Sequence, residues 1–214
     1  MELGFYILLP LIAFIYAAIG HGGASGYLAL MALFGVSIIV MKPTALLLNI
    51  FVAGISFYQF YKKGYFNWNL FYPFVVTSIP AAFVGGYLSV DSHLYKQILG
   101  VLLLFAVVGM LGLVGSSKAK DNEIRLWQGL LIGAFIGFFS GLIGIGGGII
   151  LTPVILLLGW ASVKQTAAIS ALFIWVNSLA GFAGLYIKGV ELHSSYLLLI
   201  GLAVFGGLAG AYIG

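Results

Sequence analysis

Gly141-Leu142-Ile143-Gly144-Ile145-Gly146-Gly147-Gly148-Ile149-Ile150-Leu151 joins two apolar runs, Leu126 to Ile143 and Ile149 to Trp160, that contain no charged residue. A straight membrane helix needs roughly 20 residues to cross about 30 Å of hydrocarbon. Both runs are shorter, and glycine rather than a charged loop connects them. Two short helices meeting at glycine describe a re-entrant hairpin or a broken helix pair inside a membrane. Non-helical backbone is tolerated there only where protein or a water-filled cavity covers it. The glycine string does not read as a dinucleotide-binding loop, which needs a preceding strand and a later acidic residue.

The pattern occurs twice. Gly20-His21-Gly22-Gly23-Ala24-Ser25-Gly26 separates the runs Gly4 to Ile19 and Tyr27 to Val40. Gly20-His21-Gly22-Gly23 lies over Gly144-Ile145-Gly146-Gly147, and Lys42-Pro43-Thr44-Ala45 over Lys164-Gln165-Thr166-Ala167. Tyr61, Lys63 and Gly64 lie over Tyr186, Lys188 and Gly189, and Gly85-Gly86-Tyr87-Leu88 over Gly210-Ala211-Tyr212-Ile213. The offset drifts only from 122 (164 minus 42) to 125 (189 minus 64). Internal repeats are a common construction for secondary transporters.

Composition places the whole chain in a bilayer. Of 214 residues, 63% are hydrophobic and 7% charged, against about a quarter charged in a soluble domain. The formal net charge of +4 comes from basic residues set singly between apolar runs, which reads as membrane topology rather than nucleic-acid binding. There is no cysteine, hence no disulfide and no thiolate metal site. His21, His93 and His193 are scattered without metal-ligand spacing. No metal and no cofactor is expected.

The remaining runs are Thr44 to Tyr61, Trp68 to Val90, Leu94 to Val114, Val163 to Ile187 and Ser194 onward. The expected architecture is an all-α polytopic membrane protein. It comprises a first repeat (1–115), a polar linker (116–125) and a second repeat (126–214). The second repeat stops where the first continues into Leu94 to Val114, so one helix is expected to be missing. Met1-Glu2 leads directly into a run, with no basic leader, so the first run is expected to be retained.

With a hairpin at each glycine cluster, the repeats are inverted. With one discontinuous crossing, they are parallel. Either way six basic residues face one side and three the other. In the inverted arrangement, the one adopted, Lys62, Lys63, Lys118, Lys120, Arg125 and Lys164 lie on the cytoplasmic side, opposite Lys42, Lys96 and Lys188. Trp68, Trp127 and Trp160 fall at run ends as an interfacial belt, and Trp175 mid-run is the exception.

The glycine clusters are the leading site. Glycine brings backbone close to a ligand, and a helix starting after such a turn offers free N–H groups and the positive end of its dipole. Gly22, Gly23, Ser25, Gly146, Gly147 and Gly148 are the candidates, with helices read from Tyr27 and Ile149. The competing reading of each glycine is close helix packing. His21, the ionisable side chain within a cluster, would hydrogen-bond an anion or carry a coupling proton, or else satisfy a backbone group. Thr44, Asn49 and Ser56 in one run, and Thr166, Ser170, Asn177 and Ser178 in another, form a polar stripe or interhelical hydrogen bonds. All five acidic residues lie at run ends or in the linker, so nothing orients a histidine for nucleophilic catalysis and no enzyme is expected.

Gly141 to Pro153 (GLIGIGGGIILTP) and Lys164-Gln165-Thr166-Ala167-Ala168-Ile169-Ser170, with the weaker first copy Gly20 to Gly26 and Pro43-Thr44-Ala45, resemble the sulfite exporter TauE/SafE family of membrane permeases. The chain departs at His21 in the first turn, and at Asn49, read as standing near the place of Ser170. The resemblance implies a multi-pass plasma-membrane permease. Its partners would be a small sulfur oxoanion or sulfonate and the lipid bilayer, with no nucleic acid; a homodimer is left open. Alternating access between two repeats is the expected mechanism. The alternatives are a permease or channel for another solute, and a non-transporting membrane subunit.

Overall fold

A computed structural model describes residues 3–110, 124–190 and 195–214. Among these residues the chain is entirely helical, with no strand. Most of the polar linker, Met1-Glu2 and His193 lie outside the described residues. The helices are α1 (Leu3–Ala18), α2 (Ala24–Leu33), α3 (Ile38–Lys62), α4 (Trp68–Tyr87), α5 (Ser92–Met110), α6 (Leu126–Ile143), α7 (Gly148–Leu157), α8 (Val163–Ile187) and α9 (Ser195–Ile213). Six of them (α3, α4, α5, α6, α8 and α9) are long and apolar enough to cross a membrane. At 1.5 Å per residue, the ten-residue α2 and α7 each span about 15 Å, half of a hydrocarbon core.

α3 and α8 form the centre and run antiparallel: Asn49 meets Ser178, and the start of α8 lies at the end of α3 through Lys164 and Tyr65. α4 packs along α6, and α1 along α9. Both seams are built on small residues. Cβ atoms on Gly129, Gly137 and Gly141 would run into Pro73, Ser78 and Ala82 in turn, so α4 and α6 are parallel. Gly206, Gly210 and Gly214 meet Pro10, Phe14 and Ala18 in the same manner. Residues four apart share one helix face, so each series lets two backbones touch. α2 folds back along α1: Gly26 lies against Ile12 and Tyr16, while Phe34 lies against Gly4. The chain therefore returns to the end of the bundle from which α1 started. α5 begins at an Asp91 cap, whose carboxylate accepts the Leu94 and His93 N–H groups. Those bonds, Leu94 first, hold its pKa below the usual carboxylate value. The anchoring is thus complete at neutral pH and lost as pH falls through that depressed value.

Three boundaries differ from the sequence reading. Ala24, Ser25 and Gly26, read as loop, form the first turn of α2, because Gly23 in the left-handed region (φ 94°) already serves as its N-cap. Lys42-Pro43, read as the end of the second run, lies inside α3. The Lys42 ammonium donates to the carbonyls of Gly85 (3.2 Å), Gly86 (3.0 Å) and Leu88 (3.2 Å), so the buried charge caps the C-terminal end of α4. Finally, α3 and α8 coincide end to end at an offset of 125 (163 minus 38, and 187 minus 62), not 122. Counted from the first residues of α3 and α8, Asn49 and Ile174 hold the same place in their helices, as do Lys42 and Ala167. The contacts agree: Gly144 lies against Lys42, and Gly20 against Ala167.

Candidate functional site

The two glycine turns meet between the midpoints of α3 and α8. A Cβ on either Gly22 or Gly146 would strike both the Asn49 amide and Ile174. Gly148 packs on Ile174 and on the Ser170 carbonyl. Asn49 is fully buried and ties three elements together. Its Oδ1 accepts the Ala24 N–H at 3.1 Å, capping α2 from another helix, and its Nδ2 donates to Ser178 Oγ at 3.3 Å.

A second chain of hydrogen bonds links the halves. His21 Nδ1 lies 3.2 Å from the Ile19 carbonyl, and Nε2 lies 2.9 Å from Thr152 Oγ1, which is 2.8 Å from Ser170 Oγ. A carbonyl only accepts, so Nδ1 carries a hydrogen. For a neutral imidazole, Nε2 then accepts from Thr152, and Thr152 accepts from Ser170. This proton order is assigned from the partners. No charged side chain takes part.

Other sequence candidates sit apart from this network. Thr44 donates back to the Val40 carbonyl (2.6 Å) and also meets the Tyr196 hydroxyl. Thr166 donates to the Ser162 carbonyl at 2.8 Å. Asn177 Nδ2 donates to Phe173 in its own helix at 2.8 Å, leaving Oδ1 buried without a partner. Ser25 Oγ donates to the Tyr16 hydroxyl at 2.9 Å. Gly23 and Gly147 are the N-caps of α2 and α7, both with positive φ (94° and 80°). Among the described residues, the N–H groups of Ser25 and Gly26 in α2, and of Ile149 in α7, make no hydrogen bond. Two helix N-termini thus bring unpaired donors to the interior of an apolar bundle, an arrangement suited to negative charge.

The structure adds Thr152 to the network and Ile174 to the packing of the turns, and it places Ser178 of the α8 polar stripe on Asn49. Thr152 is the one with a readable signal, a hydroxyl five residues after the Gly147 turn and just before Pro153. Thr152→Val removes the partner of both His21 and Ser170. A buried polar group left unpaired costs about 1–3 kcal/mol; Ser170 can turn back to a carbonyl of its own helix, so a total of about 2–3 kcal/mol and a fall in the unfolding midpoint of ~4–12 °C are expected, while Thr152→Ser restores most of it. Fluorescence-monitored melting of the detergent-purified protein reads both variants.

On the Lys42 side of the bundle, a cavity of about 440 Å³ opens between α3, α4, α5 and α8, with Lys42, Lys188, Ser89, Asp91 and Tyr95 among its walls. The Lys188 ammonium hydrogen-bonds Ser89 and lies 6.0 Å from the centre of the Tyr87 ring. At the opposite end, Lys164 donates to the Tyr65 hydroxyl at 3.2 Å.

Comparison with known proteins agrees with this architecture. The family model described as "Sulfite exporter TauE/SafE" matches residues 6–214. The chain is 38% identical to the probable membrane transporter protein y4hK of Sinorhizobium fredii, over 99% of this chain and 87% of that one. It is 29% identical to the probable membrane transporter protein MJ0441 of Methanocaldococcus jannaschii, over 85% and 73% of the two chains. Identity to the probable membrane transporter protein YunE of Bacillus subtilis is 27%, over 79% and 70%. No solved structure matches. Matched along nearly its whole length, and built of membrane-length helices around two glycine-turned pairs, the chain belongs to the sulfite exporter TauE/SafE family of membrane transporters.

Proposed function

We propose that this transporter moves small sulfur-containing anions (sulfite, an organosulfonate or thiosulfate) across the plasma membrane by alternating access between two inverted repeats, residues 1–115 and 126–214. The observation that carries the reading is the meeting of the two glycine turns at Asn49, with unpaired N–H donors at the starts of α2 and α7. Donors without a buried carboxylate favour an anion over a cation. The site comprises His21, Gly22, Gly23, Ser25, Asn49, Gly146, Gly147, Gly148 and Ser170. Thr44, Thr166 and Asn177 flank it along α3 and α8. The antiparallel α3 and α8 support inversion, since equivalent helices of inverted repeats run in opposite senses. By the positive-inside rule the Lys42–Lys188 cavity opens away from the cytoplasm, where its lysines would gather anions.

Purified protein in proteoliposomes tests this with labelled sulfite, isethionate and thiosulfate against acetate. Saturable flux is expected for at least one sulfur anion and not for acetate. Absence of saturable flux for all three contradicts the proposal.

A further inference from the structure

Among the described residues two buried hydroxyls have no partner, and each stands beside one of the glycine caps. Tyr27 is completely buried, yet its hydroxyl makes no hydrogen bond. Helical side chains lean toward the N-terminus, so the Tyr27 ring reaches back one turn and ends against Gly23. The hydroxyl therefore lies over the first turn of α2, where the Ser25 and Gly26 N–H groups are also free. Ser140, near the end of α6, is equally buried; its Oγ has no partner and its Cβ packs against Gly147. The Ile149 N–H of α7, two residues on, is free as well.

Buried hydroxyls normally find a partner, often a carbonyl one turn back in their own helix. Thr44 and Thr166 do so here. Leaving two unpaired, one at each turn, disfavours the unliganded state unless something else supplies an acceptor. The free backbone groups next to them are N–H donors, and no carboxylate stands among them. The complementary ligand is therefore rich in acceptors and poor in hydrogens, as an oxoanion or sulfonate is, and unlike an ammonium or a polyol.

We propose that the Tyr27 and Ser140 hydroxyls are side-chain donors to the transported anion, one from each glycine turn. This rests on the anion reading of the site and names residues for it that the sequence did not single out. The phenol adds reach, so a tetrahedral anion too large to seat wholly within the backbone turns still meets a donor. Neither residue carries charge, so the anion is held by dipoles and leaves without breaking an ion pair.

Thermal melting with and without anion tests the proposal, using Tyr27→Phe, Ser140→Ala and, as control, Thr77→Val. The Thr77 hydroxyl already donates to the Leu130 carbonyl at 2.6 Å, away from both glycine turns. Without anion, Tyr27→Phe and Ser140→Ala are expected to melt at or above the wild type, by up to about 2–4 °C, because each removes an unpaired buried group. Thr77→Val melts lower. With sulfite or isethionate, the stabilising shift of the wild type persists in Thr77→Val. In the two test variants it requires about 10- to 100-fold more anion. Undiminished anion shifts in both variants overturn this inference alone, as does a lowered anion-free midpoint in both, which would reveal an ordinary structural partner. A wild type whose midpoint responds to none of the sulfur anions overturns the functional reading and this inference with it.

Discussion

Replacing Lys42 with methionine lowers the unfolding midpoint by about 6–12 °C, whereas Lys164→Met shifts it by no more than about 2–4 °C. Each lysine stands two residues before a Thr-Ala pair in the sequence, yet their situations in the structure are opposite. Lys42 is 7% exposed and satisfies three carbonyls at the end of α4. These are carbonyls that a helix leaves without internal partners, and the cation also faces the negative end of the α4 dipole. Methionine keeps the apolar stem and removes every donor. Each unpaired buried carbonyl costs about 1–3 kcal/mol. Water from the adjoining cavity will reach some of them, so a total near 3 kcal/mol is expected rather than the sum. Lys164 is exposed, 5.1 Å from the centre of the Tyr65 ring, a contact worth about 0.5–1 kcal/mol at such a site. Equal midpoints for the two variants would remove Lys42 from its capping role.

Gly141→Leu is expected to abolish the folded protein, read as loss of the monodisperse peak on size-exclusion chromatography after detergent extraction. A Cβ at Gly141 would sit on the Ala82 carbonyl and Cα, and Gly137 and Gly133 bear on Ser78 and Phe74 in the same manner. These obstacles are backbone atoms of another helix, so the side chain cannot turn aside and α4 must move away from α6 as a body. That loosens the longest seam of small residues in the fold, where van der Waals packing does the holding because lipid is as apolar as the helices. Gly100→Ala on α5 is the control. Nothing lies within 4 Å of a Cβ there, so the substitution gains helix propensity, about 1 kcal/mol at most. A folded Gly141→Leu protein would contradict the close seam.

Lys42 and Gly141 act through contacts with residues distant in the chain, which the sequence does not display. The bounds of α6 and α8 were legible to the residue. Arg125 and Gly144 bracket the first, and Ser162 and Lys188 the second, each a polar or left-handed residue against an unbroken apolar run. The start of α3 was not legible, because Lys-Pro reads as a helix break until the carbonyls that receive the ammonium are known, and those come from residues more than 40 positions away. The Lys-x-Thr-Ala match lies at an offset of 122, while the ends of α3 and α8 lie at 125; a short motif does not show where the helices that carry it begin.

At the site, the glycine clusters were visible because glycine is conspicuous in an apolar run. Asn49 was visible as an amide where lipid forbids an unpaired one. Thr152 carried only its place beside Pro153, and Ser178 was one hydroxyl of the α8 stripe among several, since helical spacing alone does not say which face meets a glycine turn from the other half of the chain. Tyr27 and Ser140 leave no sequence signal at all; they are singled out by a partner they lack.

An anion is expected to bind where the two glycine turns meet Asn49. Isothermal titration of purified protein with sulfite, comparing wild type and Asn49→Ala, addresses it most directly, with Gly100→Ala as a remote control. Asn49→Ala frees the Ala24 N–H and enlarges the junction of the turns. Saturable binding is expected for wild type and Gly100→Ala, with affinity weaker by about 10- to 100-fold in an Asn49→Ala protein that still elutes as a folded species. Saturable binding of equal affinity in all three would contradict it.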